Sequence, residues 1–162
     1  MQVKFIDEKK YIKYKFKSKP YQHQYDAFLK SKDKPAYALF MEQGTGKSKV
    51  IIDNIAYLFR KGKIDTAIIA APKGVYRNWF ASEFKAHMPE DVVHFSQVCI
   101  WTPVETKKNI EELTNFLKVS NKLKFFIINI EALSSDKGKN YLHRLLNTSS
   151  SFFCIDESTT VK

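Results

Sequence analysis

The sequence predicts an α/β domain in which a mostly parallel sheet is covered by helices on both faces. Two observations lead to this fold class. Five short segments are apolar at consecutive positions, as strands buried on both faces are, and helical patterns separate them along the chain. The length of 162 residues and the apolar content of 44% are sufficient for one compact core.

The predicted elements follow one another in alternation. The strands are predicted over 36–41, 66–71, 98–101, 124–129 and 152–155. The helices are predicted over 22–31, 47–61, 75–87, 105–119 and 138–147. Pro20 precedes the first helix, and Gly62 ends the second in the position that glycine favours. Apolar and basic residues alternate over 11–17, which together with 2–6 predicts a small N-terminal β extension over 1–18, ahead of a main domain over 19–162.

The charge balance favours a polyanionic partner. Lysine and arginine outnumber the acids 27 to 17, a net charge of +10, and residues 1–34 supply +6 of it with ten lysines and four acids. A basic surface attracts nucleic acid through counterion release, while a charge that serves only solubility is the alternative. The sequence has no run of eighteen apolar residues and its charged N-terminus is unlike a secretory signal, so we expect a cytoplasmic protein. Cys99 and Cys154 lie in apolar runs and are expected to be reduced core thiols.

A phosphate-binding loop is predicted between the first strand and the second helix. Phosphate binding needs glycines that let backbone amides approach, a helix N-terminus, a lysine for the β- and γ-phosphates, and a hydroxyl for Mg²⁺. The segment supplies these groups in order, with Gly44, Thr45, Gly46, Lys47 and Ser48. The general P-loop pattern has a further glycine where this chain has Met41. The strand before and the helix after still favour a P-loop.

An acidic pair, Asp156 and Glu157, follows the last predicted strand. Charge at the end of a buried strand is costly unless it is used, and in a parallel sheet this end belongs to the ligand edge. Asp156 is therefore expected to hold Mg²⁺, and Glu157 to orient and deprotonate the attacking water.

Four segments in this order resemble the first RecA-like lobe of superfamily-two helicases and translocases, most closely the Swi/Snf-type branch. They are Lys19–Phe28, similar to the glutamine motif that reads adenine, Met41–Ser48, Ala70–Phe84 with its Ala-Pro, Asn-Trp and Glu-Phe pairs, and Asp156-Glu-Ser158 followed by Lys162. In that branch the first glycine of the P-loop pattern is also commonly absent. The resemblance covers most of the chain from Lys19 onward.

The resemblance assigns roles to individual residues. Gln24 is the expected adenine reader and Gln22 the alternative, because a glutamine amide complements the donor and acceptor of the adenine edge. Tyr21 or Phe16 would stack on the base, or would belong to the core. Lys73, Arg77 and Asn78 follow a strand end at the start of a helix, where they could contact a DNA backbone. Trp79 and Phe84 are expected to pack in the core.

The expected activity is that of a DNA-dependent ATPase that uses ATP and Mg²⁺ to move on DNA, duplex rather than single-stranded. Motors of this class bind ATP between two RecA-like lobes, and the second lobe supplies arginines. Since the chain ends shortly after Asp156, we expect a fragment that works with a second lobe in cis or in trans, from a phage or a bacterium. A nucleic-acid-binding module without catalysis and a P-loop nucleotide switch without nucleic acid are the alternatives.

Overall fold

The computed structural model describes residues 14–104 and 106–156. Its strands are β1 (Thr66–Ala71), β2 (Ser96–Ile100), β3 (Leu123–Asn129) and β4 (Ser151–Ile155). Its α-helices are α1 (Gln22–Ser31), α2 (Lys47–Arg60), α3 (Lys85–His87), α4 (Glu90–His94), α5 (Lys107–Leu117) and α6 (Asp136–Asn147). A π-helix over Trp79–Phe84 precedes α3, and a 3-10 helix over Ile130–Ser134 follows β3.

The four strands form one sheet in the order β2-β3-β1-β4, and every neighbouring pair is parallel. The predicted α/β class with a parallel RecA-like sheet is confirmed. All six residues of β1 are buried, which explains why every position after Thr66 in this strand is apolar. Since all four strands are parallel, their carboxyl ends lie along one edge of the sheet, where the segments that follow Ala71, Asn129 and Ile155 begin.

The sheet separates two cores because side chains alternate between its faces. Ile69 and Phe125 pack on the face that α1, α2 and the π-helix cover. Ile68 and Phe126 pack on the opposite face, with residues of α5 and α6. Helices therefore cover both faces, as the sequence predicts.

The predicted strand over 36–41 is wrong, because this segment forms no strand and is largely exposed. Phe40 is 96% exposed. The apolar run identified a segment that could form a strand, but a strand also needs a hydrogen-bonding neighbour. The sheet ends at β4, and 36–41 does not pair with it.

The other predicted elements differ from the structure mainly at their ends. The helix predicted over 75–87 begins only at Trp79, because hydrogen-bonded turns from Pro72 occupy the preceding residues. The helix predicted over 47–61 ends at Arg60, and Gly62 follows with φ +65°. The N-terminal β extension falls largely on residues 1–13, outside the described residues, and 14–18 form no strand. Tyr14 and Phe16 pack with Phe28 of α1 at ring distances of 5.3 Å.

Candidate nucleotide-binding site

The P-loop begins α2 at the sheet edge that carries the strand carboxyl ends. Helix α2 is about 21 Å long and β1 about 20 Å, at the usual rise of each element. Both pack in the same core, and only residues 61–65 join them, so they run antiparallel. The N-terminus of α2 therefore lies at the same edge as Asp156, which follows β4 directly.

Two glycines of the P-loop adopt backbone conformations that other residues avoid. Gly44 has φ +78° and Gly46 has φ +83°, both in the left-handed region. Gly46 immediately precedes the first residue of α2. A Cβ atom on Gly46 would lie 2.3 Å from Nε2 of Gln24, whereas a Cβ on Gly44 would meet nothing within 4 Å. Gly46 is therefore required both for its dihedral angles and for the close approach of α1.

Gln24 joins α1 to the P-loop. Its Nε2 donates to the carbonyl oxygen of Thr45 at 3.1 Å, and its Oε1 accepts from the backbone N–H of Tyr21 at 3.0 Å. These two partners fix the orientation of the amide, because one can only accept and the other can only donate. A glutamine amide has two N–H groups and two lone pairs, so one donor and one acceptor remain for a ligand.

His23 was not singled out by the sequence as a site residue, yet it lies against the P-loop. Its Nε2 is 2.9 Å from the same Thr45 carbonyl oxygen that Gln24 contacts. The one indication in the sequence is that His23 directly precedes Gln24, the expected adenine reader. Two adjacent side chains of α1 therefore hold one P-loop carbonyl.

A cavity of about 940 Å³ lies between α1 and the segment over 37–46. Gln22 and Gln24, the two candidates for reading the base, both line it together with Tyr21. Gln22 donates through Nε2 to Asp26 at 2.8 Å. Phe16, the other candidate for stacking on a base, packs instead on Tyr25 and Phe28 in the core. The cavity has the volume that small-molecule sites usually have.

Lys47 points back onto its own loop. Its Nζ donates to the carbonyl oxygens of Met41 at 3.0 Å and Glu42 at 3.1 Å. Thr45 Oγ1 also donates to the Glu42 carbonyl, at 2.6 Å. Carbonyl oxygens are acceptors that an ammonium group can exchange for phosphate oxygens.

Lys49, the residue after Ser48 on α2, faces the core. Lys49 forms a buried ion pair with Asp53 at 2.8 Å, and its Nζ lies 5.3 Å from the ring centre of Phe16. Burial raises the pKa of the Asp53 carboxyl to about 6, although the charge of Lys49 opposes this shift. The pair fixes the inner face of α2 against the segment that carries Phe16.

Asp156 is fixed by β1 and by Trp79. Its backbone N–H donates to the Ala70 carbonyl oxygen at 2.8 Å, which continues the parallel ladder past the end of β4. Its Oδ2 accepts from the indole Nε1 of Trp79 at 3.0 Å. Glu157, the expected base, lies outside the described residues. Among the described residues no hydrogen bond or ion pair joins Asp156 to the P-loop.

The donor set suits Mg²⁺ and a nucleotide. The Ser48 hydroxyl and the Asp156 carboxylate are oxygen ligands, which Mg²⁺ prefers. Ser48 lies at the start of α2 and Asp156 directly after β4, both at the carboxyl ends of the strands. Within the ranges that the structure describes, no cluster of three or more histidine, cysteine or acidic side chains offers a metal site of a different kind. Cys154 lies half-buried two residues before Asp156, and burial raises the pKa of its thiol to about 12.

The expected nucleic-acid contacts are exposed at the same edge. Lys73, Arg77 and Asn78 are solvent-exposed in the turns after β1. The backbone N–H of Lys73 donates to Glu131 at 3.3 Å, and Asn129 donates to the same carboxylate at 3.1 Å. Glu131 thus joins the loops that follow β1 and β3.

Fold and site together define a class: a parallel α/β domain with a glycine-rich, P-loop-like segment at the N-terminus of a helix, beside the carboxyl ends of the strands. The chain belongs to the family described as type III restriction enzyme, res subunit, which matches residues 12–158. This family implies a helicase-like ATP-binding domain of superfamily two that acts on DNA. The match begins inside the expected N-terminal extension. A comparison with curated proteins found no match, and no helix in the described ranges has the length and apolarity needed to cross a bilayer.

Proposed function

We propose that this domain is the ATP-binding lobe of a DNA-dependent ATPase of the Swi/Snf-type branch, which hydrolyses ATP with Mg²⁺ to move on duplex DNA. A second RecA-like lobe, in cis or in trans, supplies the arginines that stabilise the transition state. The loss of such an arginine typically lowers the rate by about three to five orders of magnitude. The protein would act in the cytoplasm of a bacterium or of a phage-infected cell.

The observation that carries this proposal is the bonding of Gln24. One amide accepts from Tyr21 and donates to Thr45, so the base-reading side chain and the phosphate loop form one unit at the cavity. The remaining N–H and lone pair of Gln24 complement N7 and N6 of adenine, with the donor toward N7 and the acceptor toward N6. This arrangement favours ATP over GTP, since guanine has an oxygen in place of the N6 amino group.

The phosphate and metal ends of the site follow from the remaining groups. Lys47 would exchange the Met41 and Glu42 carbonyls for the β- and γ-phosphates. The backbone amides at the N-terminus of α2 would add donors to the same phosphates. Ser48 and Asp156 would hold Mg²⁺, and the bound ion would neutralise phosphate charge. Glu157 orients the attacking water and accepts its proton.

DNA contact is proposed for the exposed turns after β1. Lys73 and Arg77 offer cations, and Asn78 offers an amide, at the edge that carries Asp156. Exposed cations beside a nucleotide site are not needed by a nucleotide switch that has no nucleic-acid partner.

The test is equilibrium binding of fluorescent ATP and GTP analogues with Mg²⁺, followed by steady-state ATP hydrolysis with and without duplex DNA. We expect weak binding that prefers the adenine analogue, near-complete loss of binding in Lys47→Ala, and very slow hydrolysis by the chain alone. Gln22→Ala and Gln24→Ala distinguish the two base readers, because only the true reader changes the ratio of ATP to GTP affinity.

Three outcomes would contradict this proposal or a part of it. Duplex DNA binding that persists without any nucleotide binding would favour a binding module without catalysis. Nucleotide binding with no DNA affinity at low salt, where the electrostatic attraction is greatest, would favour a nucleotide switch. Fast DNA-stimulated hydrolysis by a monomer would contradict the need for a second lobe.

A further inference from the structure

The indole N–H of Trp79 bonds the carboxylate proposed to hold Mg²⁺, across 77 residues of sequence. The Nε1 to Oδ2 distance is 3.0 Å, and Trp79 is 2% exposed. The sequence predicts that Trp79 packs in the core and does not predict a hydrogen bond from its indole. Its packing is confirmed, but packing alone does not require the indole nitrogen to point at the end of β4.

Both partners are held by the sheet. Trp79 is the first residue of the π-helix, which follows the turns after β1. Asp156 is held in register by the hydrogen bond from its backbone N–H to the carbonyl oxygen of Ala70 in β1. Phe152 and Cys154 pack on the core that contains α2, and Asp156 is the next residue on that face of the strand. A π-helix is rare and is often found at a functional site.

The bond leaves one carboxylate oxygen for the metal. A carboxylate has two oxygens with about two lone pairs each; Trp79 bonds one lone pair of Oδ2 and leaves Oδ1 to face Mg²⁺ or its bound water. Indole nitrogen is a donor only, which means that Trp79 cannot compete for the cation or remove a proton from Asp156. Loss of a group that hydrogen-bonds to a metal ligand without touching the metal typically lowers metal affinity by about 10–100-fold.

We infer that Trp79 is a positioning residue whose N–H sets the orientation of Asp156 for the Mg²⁺–nucleotide complex. Because Trp79 directly follows Arg77 and Asn78, the same bond links the exposed turn proposed to contact DNA with the metal carboxylate. The inference rests on the proposed function.

The first arm of the test measures nucleotide affinity in Mg²⁺ and in EDTA. We expect Trp79→Phe, which keeps an aromatic ring and loses the N–H, to retain the EDTA affinity of the unsubstituted chain and to lose about tenfold of the affinity gained with Mg²⁺. Trp101→Phe is the matched control. Trp101 is buried in the other core, and its Nε1 has no hydrogen-bond partner in the described part of the structure. This variant should keep the whole Mg²⁺ gain.

The second arm uses Trp101→Phe as a background, in which Trp79 is the one remaining tryptophan. Its fluorescence should change on addition of Mg²⁺ and nucleotide, and Asp156→Asn should abolish the part of the change that needs Mg²⁺. This arm does not use Trp79→Phe and so does not depend on the folding of that variant. Thermal denaturation shows separately whether Trp79→Phe is folded.

Failure of the inference differs from failure of the proposed function. An unchanged Mg²⁺ gain in folded Trp79→Phe, or an emission change that Asp156→Asn leaves intact, would overturn the positioning role alone. Absence of nucleotide binding by the unsubstituted chain would overturn both.

Discussion

At the scale of single residues, Gly46 combines two separate constraints. Its φ of +83° is unfavourable for any residue with a Cβ atom, and a Cβ there would lie 2.3 Å from Nε2 of Gln24. Gly44 has nearly the same φ, +78°, but open space where its Cβ would be. The two positions therefore separate backbone strain from the contact between the P-loop and α1.

We expect Gly46→Ala to lower the melting temperature more than Gly44→Ala in the absence of nucleotide. Each substitution places a Cβ in the left-handed region, at a cost of roughly 1–2 kcal/mol. Gly46→Ala additionally displaces Gln24, which breaks its bonds to Tyr21 and Thr45, at about 1 kcal/mol each. Thermal denaturation measures the difference, and equal melting temperatures would show that the Gln24 contact contributes nothing.

At the scale of elements, the local sequence pattern predicts most helices and strands. It fails for the segment over 36–41, where a strand depends on a neighbouring strand to pair with. The first helix was placed at its observed bounds, Gln22–Ser31, and β1 likewise at Thr66–Ala71. Both are specified by residues within or beside them. The segment over 36–41 has an equally apolar sequence, but no local signal indicates whether a neighbouring strand is present to pair with it.

The site shows the same division. Gly44, Gly46 and Lys47 could be recognised because a P-loop is contiguous in sequence. The bond from Trp79 to Asp156 and the approach of His23 to Thr45 depend on tertiary packing, so spacing along the chain gave no indication of either.

We expect Phe40→Ala to change the free energy of unfolding by less than about 0.5 kcal/mol, since Phe40 is 96% exposed. Phe125→Ala is the contrast, because Phe125 is fully buried on β3 and such truncations cost about 3–5 kcal/mol. Urea denaturation of both variants gives the comparison. If Phe40→Ala lowers the free energy of unfolding nearly as much as Phe125→Ala, the segment over 36–41 would be the buried strand that the sequence predicts.

At the scale of the whole molecule, the net charge of +10 sets a general attraction to nucleic acid, and the sheet decides where that charge acts. Lys73 and Arg77 lie in the turns at the carboxyl edge. Lys118 and Lys122 are exposed just before β3, at the opposite edge. These two pairs carry equal charge and lie at opposite ends of the strands.

The salt dependence of duplex DNA binding distinguishes the two pairs. We expect the double substitution of Lys73 and Arg77 to alanine to weaken binding and to reduce the slope of log affinity against log salt by about 2, one for each lost phosphate contact. The double substitution of Lys118 and Lys122 should leave the slope nearly unchanged. Equal effects of the two double substitutions would mean that DNA binds through the overall positive charge and not at the turns after β1.

One of the two edge strands of the sheet, β4, also affects how the purified protein behaves in concentrated solution. Its inner edge pairs with β1, and its other edge has no strand beside it among the described residues. Phe153 and Ile155 are about 40% exposed on the same strand. An open edge with apolar side chains is a template for strand addition between molecules, while the positive charge keeps molecules apart. Concentrated salt removes that repulsion, so the chain should remain dispersed in dilute buffer and self-associate through β4 as ionic strength rises.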